Sequence, residues 1–282
     1  MARESRTIGF VDYRLDNFHA NTFLGILRDD LADRGFEVAG CTGLDEKEGR
    51  AWAEKNEVPY FDDAAALDDA VGFYMVLAPS NPEVHLELCR KVLPFGKPTY
   101  VDKTFAPDVE TAEAIFALAD EHGAAIQTTS ALRYTNVQEY VASIGKAAVR
   151  HMVAWGGGRS FGEYAIHPVE LVVSCMGPGA ARLMRRGTGE QSQLLIDFTE
   201  DRTAVVNVYI GADTPFAATV TTDEGTRYVP VEGEGMFRDN AAAILDFFES
   251  GKPVIDRAES LMIRRILDAA EDPAAMDAFI DL

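Results

Sequence analysis

The sequence predicts an α/β protein: an N-terminal doubly wound, Rossmann-like parallel sheet, followed by a C-terminal α+β domain with a mostly antiparallel open sheet. Apolar strand segments alternate with helix segments up to about residue 128, which is the pattern of a parallel sheet with crossover helices. Beyond that point, neighbouring strand segments are separated mainly by turn residues. The 282 residues are enough for two domains, which we place at residues 1–128 and 129–282.

The first domain is predicted to contain parallel strands joined by helices. The strands are short apolar runs suited to a buried sheet, and the helices between them show apolar stripes or glycine stops. The strands are expected at residues 7–11, 36–41, 71–78, 97–101 and 124–128, and the helices at residues 21–34, 46–55, 82–93 and 108–123.

The second domain is predicted to combine helices with a run of neighbouring strands. A glycine-rich stretch, residues 156–158, is expected to lead into a helix. The turn residues between the later strands indicate antiparallel pairing. The helices are expected at residues 136–143, 163–176, 240–250 and 258–270, and the strands at residues 149–154, 193–199, 204–210 and 217–222.

The composition excludes several classes of function. Acidic residues outnumber basic ones by 46 to 26, and the formal net charge of −20 would repel nucleic acids and anionic membranes. No apolar run approaches the roughly 20 residues that span a bilayer, and the N-terminus lacks a signal-peptide core, so we expect a cytoplasmic protein. The three widely spaced cysteines argue against a disulfide framework or a cysteine-based zinc site.

The end of the first strand is the place where a doubly wound sheet binds a dinucleotide. Small residues in a G-x-G-x-x-G pattern let backbone amides reach a pyrophosphate there. In this sequence Asp12, Arg14 and Asn17 stand at the three glycine positions, and the second strand ends at Thr42 and Gly43 without an acidic residue for the adenine ribose. The glycine pattern therefore argues against a pyrophosphate-binding loop.

The ends of the third and fourth strands carry two further candidates. Residues 77–85 (LAPSNPEVH) form a turn that suits a planar ligand, or only the start of a helix with proline in its first turn. Lys103 directly follows the fourth strand. Its ammonium group either enters the ligand crevice, where it can take part in acid–base chemistry, or is simply solvated.

Glu163, His167 and Glu170 form the most informative pattern of the second domain. On a helix, their spacing of four and three residues places them on one face. Such a trio suits a general base whose imidazole is oriented by a carboxylate, a Zn, Mn or Fe site, or a structural His–carboxylate pair. Pro168 directly after His167 indicates instead that a helix starts there.

In their order and spacing, these segments resemble the Gfo/Idh/MocA family of oxidoreductases over nearly the whole length of the chain. His19 matches the histidine that follows the family's glycine loop, and residues 78–85 match its proline turn. Residues 96–106 (GKPTYVDKTFA) match the motif G-K-x-V-x-x-E-K-P-x-A, with a few departures.

The second domain continues the resemblance. Arg133 matches the arginine after the linking strand, and Glu163, His167 and Glu170 match the motif D-x-G-x-H-x-x-D, with glutamate in place of both aspartates. Residues 250–254 (SGKPV) match the turn before the last helix.

The resemblance implies an NAD(P)-dependent oxidoreductase that acts on a CH–OH group of a sugar, cyclitol or related polyol. It implies three catalytic residues: His167 takes the hydroxyl proton, Lys103 stabilises the negative oxygen, and Glu163 orients His167. Arg133 and Glu170 would shape the substrate pocket. The residues implied in cofactor binding are Asp12, Tyr13, Arg14, Thr42, Ala78, Pro79, Asn81, His85 and Asp102.

We expect binding of NAD or NADP to be weaker than micromolar. The Asp12 carboxylate would stand near the pyrophosphate, and two like charges at about 4 Å repel by roughly 4 kcal/mol at an effective dielectric of 20. Only Arg14 could offset this repulsion.

Two alternatives remain open: a cofactor-free sugar-binding or regulatory protein on the same fold, and a metal-dependent lyase or isomerase centred on Glu163, His167 and Glu170. No metal is expected in the leading interpretation. The apolar strands between residues 193 and 222 predict an open sheet face that packs against another subunit, in a homodimer or homotetramer.

Overall fold

The computed structural model describes residues 6–282, which form two compact units. The first unit contains the residues up to Thr129 and a later segment, Phe237–Ile255. The second contains Ser130–Met236 and Asp256–Leu282. The chain therefore returns to the first unit well after residue 129, where the sequence places the second domain's start.

The first unit is built on a parallel sheet. Its strands are β1 (Thr7–Asp12), β2 (Glu37–Gly43), β3 (Phe73–Val76), β4 (Thr99–Asp102) and β5 (Ile126–Thr129). Its helices are α1 (Phe18–Arg28), α2 (Glu46–Asn56), α3 (Ala64–Asp68), α4 (His85–Val92), α5 (Val109–Glu121) and α9 (Met236–Ser250), with 3₁₀ turns at Ala32–Arg34, Pro82–Val84 and Leu93–Phe95. The strand order β2-β1-β3-β4-β5 with parallel pairing throughout confirms the predicted Rossmann-like sheet.

Polar residues begin the helices at the carboxyl edge of this sheet. Asn17 and Asp45 precede α1 and α2, and the side chain of each accepts a backbone N–H of the first helical turn. Asp108 caps α5 in the same way. Because α1 and α2 begin directly after β1 and β2, their first turns lie beside the loops in which a Rossmann sheet binds its ligands.

The second unit contains a mixed, mostly antiparallel sheet, as predicted. Its strands are β6 (His151–Gly158), β7 (Ala180–Gly187), β8 (Gln191–Phe198), β9 (Arg202–Ile210), β10 (Ala217–Thr222), β11 (Gly225–Pro230) and β12 (Ile280–Asp281). Its helices are α6 (Asn136–Ile144), α7 (Phe161–Tyr164), α8 (Ile166–Met176) and α10 (Arg257–Glu271), with 3₁₀ turns at Ala131–Arg133, Lys146–Ala148 and Pro273–Met276. The strand order is β11-β10-β6-β9-β8-β7-β12. Among the described strands of this second sheet, only β6 and β9 pair in parallel.

One face of this sheet carries the core of the second unit. Buried and more exposed residues alternate along β6 and β8, as expected for strands with a single covered face. Helix α8 packs on β6 and β9, and α10 packs on α8 and β7. The covered face therefore supports α8, which carries His167 and Glu170.

Several predicted element boundaries are wrong. The first helix was predicted over residues 21–34, but it starts at Phe18, directly after its cap Asn17, and ends at Arg28. Residues 156–158 belong to β6, and the absence of side chains there leaves room for the rings of Tyr164 and Phe216. The predicted helix 163–176 is divided at Ala165. The strands β7, β11 and β12 were not predicted.

No described helix is both long and apolar enough to cross a membrane. Cys41, Cys89 and Cys175 are all buried and none forms a disulfide.

Candidate active site

The loop after β1 is closed by its own side chains. The Asp12 carboxylate is 1% exposed; it accepts the N–H of Arg14 at 3.1 Å and the side-chain amide of Asn17 at 2.8 Å. Asn17 in turn accepts the N–H of Ala20 at 3.0 Å. The residues that replace the family's glycines therefore bond to one another and to the start of α1.

A residue that the sequence analysis did not single out completes this loop. Glu48, in the first turn of α2, accepts the N–H of Leu15 at 2.9 Å and that of Asp16 at 2.5 Å. Together with the bond from Arg14 to Asp12, three consecutive loop amides donate to carboxylates. The sequence signal for Glu48 is only its place, just after the helix cap Asp45.

Burial dominates the ionisation of Asp12. Loss of water raises the pKa of its carboxyl from 3.8 to about 7, although hydrogen bonds from the backbone of Ala78, from Asn17 and from the loop amides oppose the rise. Arg14, by contrast, is mostly exposed, and its guanidinium lies 3.3 Å from the carboxylate of Asp45. The positive charge predicted to face a pyrophosphate is thus held by an acidic neighbour.

A cavity of about 260 Å³ lies beside the ends of β1 and β2. It is smaller than the roughly 300–1,000 Å³ of most ligand pockets and has room for a base-sized group. It is lined by Val11, Thr42, Gly43, Leu44, Asp62, Asp63, Ala64, Ala65, Leu88, Lys91 and Phe95. The first unit therefore offers space for a base-sized group, but its loop amides, which are already bonded to carboxylates, do not fit a pyrophosphate.

The turn after β3 is fixed by His85 and Lys103. The imidazole of His85 is fully buried, with ring nitrogens 2.7 Å from the carbonyl oxygen of Leu77 and 3.0 Å from that of Phe105. Lys103 is 6% exposed, and its ammonium group donates to the carbonyl oxygen of Pro79 at 3.1 Å. Both side chains thus hold the turn 77–81 in place.

Asp102 is paired within the first unit. Its Oδ2 lies 2.5 Å from Nδ1 of His19, and its Oδ1 accepts the backbone N–H of Lys103 at 2.8 Å. His19, singled out by its match to the family histidine, and Asp102, predicted to bind cofactor, are therefore brought together.

In the second unit, Ser130 stands between His167 and Glu170. Nδ1 of His167 lies 3.3 Å from Oγ of Ser130, and Oε2 of Glu170 accepts the N–H of Ser130 at 3.0 Å. The sequence analysis did not identify Ser130. It directly follows β5, and that position after a strand is the only signal that could have found it.

Arg133 joins this group to a second carboxylate. Its Nε donates to Glu170 at 3.0 Å and its Nη1 to Glu259 at 2.5 Å, while Lys146 also donates to Glu259 at 3.0 Å. Burial would lower the pKa of Arg133, but the charges of Glu170 and Glu259 outweigh it and raise that pKa. The guanidinium therefore remains charged and fixes both carboxylates.

The surroundings of His167 are aromatic. The rings of Tyr164 and Phe216 meet the imidazole edge-on, with centroids 5.8 and 5.6 Å away.

Glu163 lies 3.6 Å from the guanidinium of Arg159. Among residues 6–282, no group of three or more His, Cys, Asp or Glu side chains is arranged to hold a metal ion, so the metal interpretation of Glu163, His167 and Glu170 gains no support.

Solved structures share this fold over the whole chain. GenD2 from gentamicin A biosynthesis, in complex with NAD, is 16% identical, with a TM-score of 0.82 over 100% of this chain and 97% of that one. Apo scyllo-inositol dehydrogenase from Lactobacillus casei is 12% identical, with a TM-score of 0.82 over 100% and 99%. Myo-inositol dehydrogenase from the same organism, in complex with NAD(H) and myo-inositol, is 13% identical, with a TM-score of 0.82 over 98% and 96%.

No curated protein matches the sequence. Residues 18–130 match the Gfo/Idh/MocA oxidoreductase family, NAD-binding Rossmann fold. The match begins directly after the loop 12–17, in which the glycines are absent. Residues 18–130 therefore match the NAD-binding Rossmann domain of the Gfo/Idh/MocA oxidoreductase family, and the chain as a whole shares its fold with the solved dehydrogenases.

Proposed function

We propose that this protein is an oxidoreductase that acts on a CH–OH group of a sugar, cyclitol or related polyol, with His167 as the base. The observation that carries the proposal is the chain of contacts from His167 through Ser130 and Glu170 to Arg133. The substrate class is supported by the inositol dehydrogenases that share the fold.

The contacts of His167 suit proton transfer. A histidine that takes a proton must present one ring nitrogen in a fixed direction, and a partner on the other nitrogen sets that direction. Here Nδ1 is held near Ser130, whose N–H is fixed by Glu170. We assign the proton of the substrate hydroxyl to Nε2 of His167.

Lys103 is the proposed electrostatic partner of the substrate oxygen. An ammonium group stabilises the negative charge that develops when the hydroxyl loses its proton. The bond from Lys103 to the carbonyl oxygen of Pro79 restricts its position. In oxidoreductases of this family a nicotinamide dinucleotide accepts the hydride. No acidic residue at the end of β2 selects NAD over NADP, because that strand ends at Gly43.

The test is oxidation of a panel of polyols, including myo-inositol and scyllo-inositol, with millimolar NAD or NADP, followed by absorbance of the reduced nicotinamide. His167→Ala should lower kcat by about 10²–10⁴-fold, the usual contribution of a general base, without changing the free energy of unfolding. His151→Ala is the matched control, because that histidine lies in β6 and bonds to Thr203. Equal activity of wild type and His167→Ala would refute the assignment.

A second candidate function is polyol binding without a dinucleotide. It is favoured by the carboxylates of Asp12 and Glu48, which hold the loop amides. Calorimetric binding of a polyol to protein without nucleotide, together with no reduction of NAD or NADP, would support this candidate over the first.

A further inference from the structure

The position of Glu48 is fixed by the backbone. The N–H of Leu44 donates to the carbonyl oxygen of Asp12 at 3.1 Å, and the N–H of Asp45 donates to that of Tyr13 at 3.0 Å. These two bonds tie the turn between β2 and α2 to the loop after β1. Since Glu48 lies in the first turn of α2, they place its carboxylate at the loop.

The path of the loop is fixed as well. The side chain of Leu15 is fully buried. It packs against Gly49 of α2, which has no side chain; a Cβ added at Gly49 would lie 3.5 Å from Leu15 Cδ1. The ring of Tyr60 limits the same space, at 2.7 Å. The amides of Leu15 and Asp16 are thereby held toward Glu48.

These amides are the groups that a Rossmann loop offers to phosphate oxygens. Backbone N–H groups at the start of the first helix bind a pyrophosphate because they are donors without partners and because the helix dipole favours negative charge. In this chain the two oxygens of Glu48 take the Leu15 and Asp16 amides, and Asp12 takes that of Arg14. The loop is therefore already saturated with anionic acceptors.

We propose that Glu48 is a built-in occupant of the phosphate position at the end of β1, and that its carboxylate determines whether this chain binds a ligand that carries a pyrophosphate. A dinucleotide binds only when Glu48 leaves the two amides. The inference concerns a site separate from His167, and it holds whether or not the proposed polyol oxidation does.

Electrostatic repulsion also opposes the binding of a pyrophosphate at this loop. The carboxylates of Asp45 and Glu48 place negative charge at the loop, and the guanidinium of Arg14 is 61% exposed and paired with Asp45. A pyrophosphate entering beside them would meet like charges at short range. Replacing Glu48 by alanine therefore both vacates the amides and removes part of this repulsion, whereas glutamine removes only the charge.

The test is titration of NADH, followed by nicotinamide fluorescence, into wild type, Glu48→Gln, Glu48→Ala and Glu46→Gln. Glu46 is the matched control because it lies in the same helical turn, is 67% exposed and pairs with Arg50. We expect Glu48→Ala to bind NADH at least about tenfold more tightly than wild type, which is about 1.4 kcal/mol, and inorganic pyrophosphate to compete. Glu48→Gln should show a smaller gain, and Glu46→Gln none.

Three results would overturn the proposal: equal affinity in wild type and both Glu48 variants, no binding by any of them up to 5 mM as a rough upper limit, or an equal gain in Glu46→Gln. If a Glu48 variant fails to fold, amide hydrogen exchange of the wild type decides. The Leu15 and Asp16 amides should exchange slowly without any ligand, and rapid exchange would contradict the occupancy. A Glu48 variant that binds NADH but oxidises no polyol would refute the proposed function and leave this inference standing.

Discussion

The Nδ1 atom of His19 lies 2.5 Å from Oδ2 of Asp102, which joins the start of α1 to the end of β4 inside the first unit. Burial alone would raise the pKa of the Asp102 carboxyl, but His19 and Lys103 together hold it below its usual value. This pair stabilises the fold beside the candidate ligand crevice.

We expect His19→Gln to lower the free energy of unfolding by about 3 kcal/mol, because it removes the larger of the two interactions, those with His19 and Lys103, that compensate the buried carboxylate of Asp102. Urea unfolding at pH 6 measures the change. Asp102→Asn should lower the free energy of unfolding much less in the His19→Gln variant than in wild type, since the two residues interact directly. His122→Gln, at an exposed position, is the control. Additive costs would argue against coupling.

The sign of the pH dependence follows from the lowered pKa of Asp102. Its contribution is present above the unfolded carboxyl pKa of 3.8 and is lost as the pH falls through the folded value. The difference in unfolding free energy between wild type and His19→Gln should therefore shrink as the pH is lowered from 5 toward 3. A constant difference over this range would contradict the assignment.

Asp12 should give the opposite pH dependence. With its pKa raised to about 7, the folded protein binds a proton that the unfolded chain has lost, so stability falls as the pH rises from about 4 to 7. The full effect is on the order of 4 kcal/mol. Unfolding at pH 5 and pH 8 should show a smaller loss in Asp12→Asn than in wild type. Asp16→Asn, in the same loop, should behave as wild type.

A direct titration checks the same point. The carboxyl carbon of Asp12, followed by NMR, should titrate near pH 7. A midpoint near 4 would show that the loop donors, rather than burial, control this carboxyl.

Much of the first unit could be predicted because its signals are local. The strands β1, β3 and β4 are short runs that are rich in apolar residues and buried almost throughout, which leaves a clear pattern in the sequence. By contrast, β7 and β11 carry arginines and few buried positions, so neither shows the alternation by which a strand is recognised. Their pairing with β8 and β10 depends on partners elsewhere in the sequence.

The site was harder to predict than the fold. The loss of glycines at Asp12, Arg14 and Asn17 is visible in the sequence, but the carboxylate that fills the loop belongs to Glu48, more than thirty residues later. That contact depends on the parallel register of β1 and β2, which no local pattern specifies. Ser130 is similar, because its contact with His167 joins residues that lie 37 positions apart and leaves no local signal in the sequence.

The uncovered face of the second sheet predicts association between two copies of this chain. Four partly exposed apolar residues form a row across neighbouring strands of this face. Each lies opposite the next in the strand register: Val153 on β6, Val205 on β9, Leu195 on β8 and Met184 on β7. An apolar row of this kind is unfavourable in water. We expect sedimentation at micromolar concentration to show a dimer or tetramer, and Val205→Glu to shift it toward monomer. Gln191→Glu, at the exposed start of β8, should not. A monomeric wild type would refute this prediction.

The buried position of Arg133 between Glu170 and Glu259 gives the last prediction. Arg133→Met removes the guanidinium that donates to Glu170, which is 2% exposed, whereas Glu259 keeps its bond from Lys146. We expect a loss of about 3–5 kcal/mol in urea unfolding, the usual result of leaving one buried charge without its partner. Adding Glu170→Gln should recover part of this loss, because the uncompensated charge is then absent. Arg150→Met, which breaks an exposed pair with Asp223, should leave the free energy of unfolding nearly unchanged, because exposed ion pairs contribute little. If Glu170→Gln instead adds its own full cost to that of Arg133→Met, the carboxylate is held by something other than Arg133.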